Sequence, residues 1–73
     1  MKNLLLTAAD IERLATKVSS EVMRYEPRNM TEARAGAGAF AGEFLPELDE
    51  VTRSRVIARA VGAMRPLIEL HPV

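Results

Sequence analysis

Apolar residues recur early in the chain at the spacing of an amphipathic helix. At about 100° per residue, Ile11, Leu14, Ala15, Val18, Val22 and Tyr25 share one face, while Glu12, Arg13, Thr16, Lys17 and Ser20 point elsewhere. Thr7-Ala8-Ala9-Asp10 puts a hydroxyl at the N-cap and a carboxylate three residues on, an aspartate form of the capping box. Leu6 and Ile11 then fall at the hydrophobic-staple positions around that cap. Pro27 excludes the helical conformation from its predecessor and ends the element near Tyr25 or Glu26. Met23 lies about opposite Leu14 on this helix, away from the apolar arc, so it is expected to be an exposed apolar contact.

A second helix is signalled by Asn29 as cap with Glu32 three residues later, and Met30, Ala33, Ala37, Phe40 and Phe44 share an arc of about 80°. Its propensity is poor, because Gly36, Gly38 and Gly42 each cost about 0.5–1 kcal/mol relative to alanine in a helix interior. A third begins around Pro46 to Asp49 and carries Val56, Ile57, Ala60, Val61, Met64, Leu67 and Ile68 on one side. Acids in its first turn suit the helix dipole, Asp49 is spaced to pair with Arg53, and Pro66 is expected to kink or restart the helix. The pattern therefore predicts helices over 8–26, 30–45 and 47–65, with a short last turn over 66–70. No strand alternation competes. The expected fold is all-α, a small three-helix bundle or a helical hairpin with a third helix packed across it.

With 73 residues the chain can form one core only, so a single domain over 1–73 is expected. Small domains commonly lean on disulfides, metals or association. The sequence has no cysteine, and its one histidine, His71, leaves a structural zinc site without ligands. Association with another chain is the remaining support. The leucines at 4–6 are too few for a signal peptide before Asp10, and no run reaches the roughly 20 apolar residues of a membrane span. A soluble, cytoplasmic protein is the expectation, consistent with absent cysteine.

Ten basic and ten acidic residues balance, which removes the general attraction for nucleic acid. Arg55 and Arg59, one turn apart on the outer face of the third helix, are the single place where phosphate contact could begin. Forcing Arg34 to Arg53 onto a helix-turn-helix template presents Glu47, Asp49 and Glu50 to the groove, the wrong charge for DNA. No catalytic grouping emerges: His71 has no nucleophile or acid near it in sequence, and Ser19, Ser20 and Ser54 have no oxyanion turn. The carboxylates at 47, 49 and 50 lack calcium-loop spacing, and Gly36-Ala37-Gly38 lacks the Lys-Ser/Thr pair of a phosphate loop. The chain is expected to be no enzyme, with no cofactor, metal or small-molecule ligand.

What remains is protein binding. The second helix has two packable sides, Phe40 and Phe44 on one and Ala35, Gly38 and Gly42 on the other, and small residues four apart admit a close neighbour. Two arrangements fit. In the first, the other two helices occupy both sides within one chain. In the second, the Gly/Ala side is left for a second copy or a partner, with Met23, Leu4 and Leu5 as further apolar contacts. In size, neutral charge and short capped helices, such as Thr7-Ala8-Ala9-Asp10 followed by the Ile11 stripe, the chain resembles the small helical proteins that bacteriophages direct against host machinery, including regulators that bind RNA polymerase. That resemblance of general make-up implies a protein-binding regulator or inhibitor with RNA polymerase as partner. A small dimeric DNA-binding regulator using Arg55 and Arg59, and an assembly or scaffold subunit, are the alternatives.

Overall fold

The computed structural model describes residues 6–69, which form three helices: α1, Ala8–Met23; α2, Met30–Phe44; α3, Glu50–Glu69. All three pairs of helices pack on one another, so the arrangement is a bundle. Among the described residues no helix is long and apolar enough to cross a membrane.

Each helix starts where local chemistry directs. At α1 the Thr7 Oγ1 accepts from the Asp10 amide at 3.1 Å, while the Asp10 carboxylate accepts from the Thr7 amide and hydroxyl at 3.0 Å each. These bonds hold the Asp10 carboxyl below its ordinary value of 3.8, the Thr7 amide first, with Arg13 at 3.6 Å adding to the effect. At α2 the Asn29 side chain accepts from the Glu32 amide at 2.9 Å, and Glu32 reaches back to the Arg28 amide at 2.7 Å. At α3 the Asp49 carboxylate accepts from the Thr52 amide at 3.3 Å, so Asp49 is the cap of the helix and Glu50 its first residue. Pro46 and Glu47 belong to the preceding turn, which is why α3 starts three residues later than expected.

α1 also stops earlier than the proline alone would demand. Its last amides, those of Arg24, Tyr25 and Glu26, bond to carbonyls three residues back at 3.0–3.2 Å, tightening the chain, and Glu26 then turns into the left-handed region at φ 52°. Tyr25 therefore lies beyond the helix and off its apolar face. At the other end of the chain α3 runs through Pro66 without a break. Pro66 sits in the final turn, and the carbonyl it fails to engage belongs to exposed Gly62, where water can serve it.

The core is built from small side chains. Ala15, Val18, Val22, Ala33, Ala37, Val56, Ala60, Val61 and Met64 form its buried centre, and Ala41 is buried beside them. Ile11, Leu14, Met23, Met30, Phe40, Leu45, Leu48, Ile57 and Ile68 ring it, half-buried. Ala33, Ala37 and Ala41 recur every fourth residue, giving α2 a smooth inner row with no exposed surface, against which α1 and α3 approach closely. The tightest point is Gly36, where a Cβ would stand 3.1 Å from a Val22 methyl. The buried hydroxyl of Ser19 donates to the Thr16 carbonyl at 3.1 Å within its own helix, so no buried side-chain polar atom is left unpaired among the described residues.

Candidate functional site

The aromatic side chains of this protein are Tyr25, Phe40 and Phe44, and none of them fills the core. Tyr25 lies on Phe40 with ring centroids 5.6 Å apart and a tilt of 39°, and Phe40 stacks on Phe44 at 5.3 Å and 20°. The three rings make a continuous surface ladder, with Tyr25 74% and Phe44 51% exposed and Phe40 half-buried at its centre. Phe40 and Phe44 are held by α2 one turn apart, and Tyr25 is brought to them by the tightened end of α1 and the left-handed Glu26. A non-glycine residue in that region carries a strain of order 1 kcal/mol or more.

Beside the ladder is an apolar depression of about 300 Å³ lined by Val22, Tyr25, Pro27, Glu32, Gly36 and Phe40. The missing side chain of Gly36 opens its floor. A second depression of about 410 Å³ lies between α1 and α3, bordered by Leu6, Ile11, Glu12, Arg55 and Arg59. Val51 and Leu67 are further exposed apolar residues on α3, and Val51 borders a third, shallower depression of about 460 Å³ with Glu50, Ser54, Arg55 and Ala58.

The residues expected from sequence fall out differently. Ala35 and Gly42 are exposed and Gly38 half-exposed, and an added Cβ at Gly38 or Gly42 would meet nothing within 4 Å. Of the two arrangements the sequence allowed, the one in which α1 and α3 fill both sides of α2 does not occur: they share the alanine row and leave the Gly/Ala side open, as in the second. Gly36, two residues from Gly38, is the glycine that close packing needs. Met23 is half-buried and packs against the core, contrary to the expected exposed contact, so the covered surface of α1 reaches beyond the arc centred on Leu14. Leu4, Leu5 and His71 lie outside the described residues.

Two arginines of α3 reach other elements of the bundle. Arg59 pairs with Glu12 across α1 and α3, and Arg55 lines the neighbouring depression, so the two do not form a free basic pair. The Arg53 side chain forms no ion pair with Asp49 or Glu50. Its Nη1 donates to the carbonyls of Leu45 at 3.2 Å and Leu48 at 3.1 Å, fastening the turn between α2 and α3. Asp49 is occupied instead by capping: its bonds with Thr52 hold its carboxyl below the ordinary value. No group of three or more His, Cys, Asp or Glu capable of holding a metal occurs among the described residues.

The ladder escaped the helical count because Phe40 and Phe44 point in the same direction as Ala33 and Ala37; what differs is how far the neighbouring helices extend over them. Comparison with family models, with curated proteins and with solved structures returned no match.

Proposed function

We propose that this protein is a non-enzymatic binding module, a regulator or inhibitor that docks on another protein through the Tyr25–Phe40–Phe44 ladder. The observation that carries the reading is the allocation of aromatic residues: all three stand together on the surface while the core is made from alanine, valine and one methionine. Burying them inside would have given a small domain more apolar contact, since a large aromatic side chain contributes on the order of 2–3 kcal/mol when fully buried. Aromatic residues are also the side chains most enriched at the energetic centres of protein interfaces.

The general make-up of the chain puts RNA polymerase first among partners to test. Binding of the purified protein to purified polymerase, measured by biolayer interferometry, is expected to be lost in Tyr25→Ala with Phe44→Ala while helical circular dichroism is retained. A double variant that binds as tightly as the parent removes the ladder from the reading. Docking on duplex DNA is disfavoured by the Glu12–Arg59 pair, which holds one of the two candidate arginines in place. Assembly of copies through the open side of α2 is a second reading, supported by the uncovered Gly38 and Gly42. It predicts a dimer or larger species in light scattering that Gly38→Leu dissociates.

A further inference from the structure

The depression beside the ladder is not purely apolar, and its charge says what kind of group enters it. Glu32 lines it with Tyr25 and Phe40. One Glu32 oxygen, Oε1, accepts from the Arg28 amide, and the other has no hydrogen-bond partner among the described residues. Glu32 is the one charged residue among those that line the depression, so the charge the lining presents is negative in a protein whose formal net charge is zero.

We propose that the occupant of this depression is an arginine side chain carried on an exposed segment of the partner protein. This rests on the docking function proposed above and specifies its chemistry. A guanidinium is planar, is attracted to the faces of aromatic rings, and carries several N–H donors in a fixed fork, one of which can reach a carboxylate oxygen while the plane lies on a ring. Tyr25 and Phe40 are too close to admit a planar group between them, so the guanidinium lies across the exposed face of Tyr25 with its donors toward the free oxygen of Glu32. The methylene stem covers Val22, Pro27 and the open floor at Gly36. A lysine supplies the charge without the plane, and an acidic partner is repelled.

Tyr25 is the only tyrosine and there is no tryptophan, so the intrinsic fluorescence of the full chain reports this one site. The experiment titrates the protein with four short blocked peptides that differ at one central position: arginine, lysine, citrulline or glutamate. The arginine peptide is expected to change Tyr25 fluorescence saturably and less strongly as salt is added. The lysine peptide binds about fivefold more weakly, and the citrulline and glutamate peptides give no saturable signal. Glu32→Gln, which keeps an acceptor for the Arg28 amide, lowers affinity for the arginine peptide about fivefold or more with unchanged helical dichroism.

Equal binding of citrulline and arginine, an unaffected Glu32→Gln variant, or no signal from the arginine peptide overturns the proposal. So does a concentration-dependent dimer in light scattering that Tyr25→Ala dissociates, because the occupant is then a second copy. None of the peptide results touches the docking function itself, which fails separately if Tyr25→Ala with Phe44→Ala leaves partner binding intact.

Discussion

Replacing each glycine of α2 and α3 by alanine reads out which helix faces are covered. Glycine inside a helix is less favourable than alanine by about 0.8–1 kcal/mol, so wherever the new methyl meets nothing, that difference returns as stability. At Gly38, Gly42 and Gly62 an added Cβ finds no atom within 4 Å. Each substitution is expected to stabilise the protein by about 0.5–1 kcal/mol, a rise of roughly 3–8 °C in Tm for a domain of this size. At Gly36 the methyl arrives 3.1 Å from the Val22 Cγ1 and 3.5 Å from its Cγ2. Val22 is buried and cannot withdraw freely, so the propensity gain of about 1 kcal/mol is offset by crowding of about 1–3 kcal/mol. Gly36→Ala is therefore expected to be neutral to destabilising. The assay is thermal and urea unfolding followed by circular dichroism at 222 nm, at two protein concentrations. Loss of stability in Gly38→Ala or Gly42→Ala refutes the reasoning, since it means that the open side of α2 is covered in solution; a concentration-dependent Tm identifies the cover as a second copy.

The two alanine rows of α2 separate in the same way: Ala37→Leu, at a site with no exposed surface, is expected to cost about 1–3 kcal/mol, whereas exposed Ala35→Leu stays within about 0.5 kcal/mol of the parent in urea unfolding. Arg53→Met removes both bonds to the α2–α3 turn and is expected to cost about 1–2 kcal/mol, with faster amide exchange at residues 45–48 in hydrogen-exchange mass spectrometry. Asp10 and Asp49 have folded values below 3.8, so the unfolded chain binds protons first as pH drops. Their stabilisation is complete above 3.8 and is lost as pH falls through the lower folded values; a urea midpoint that does not decline over that interval, or declines as steeply in Asp10→Asn with Asp49→Asn, contradicts the capping assignment.

Much of the secondary structure was legible because it depends on bonds spanning three residues. The Thr7–Asp10 box and the Asn29–Glu32 cap require nothing beyond the local chain, and both starts were correct. Boundaries set by competition between local options were less legible. Pro27 limits α1, yet the helix ends at Met23 because the chain tightens first, and Pro66 is tolerated in a last turn where one lost bond is exposed. Arg53 illustrates a different gap. Its acidic neighbours lie one turn away in sequence, but the Leu45 and Leu48 carbonyls of the turn are within reach once α2 and α3 pack, and Asp49 is already engaged by its cap.

The sequence by itself determined three helices, the caps of the first two, a zero net charge and the small-residue character of α2. All of these follow from propensity, periodicity and short-range hydrogen bonds. Only the tertiary structure decided which small residues face inward. Ala33, Ala37 and Ala41 do so with Gly36 at the point of closest approach, while Ala35, Gly38 and Gly42 remain open. The same packing expelled Phe40 and Phe44 to the rim and set Tyr25 beside them. A helical wheel gives the direction of a side chain and not the depth at which a neighbouring helix covers it, and in a bundle closed over alanine that depth separates a core residue from a docking surface.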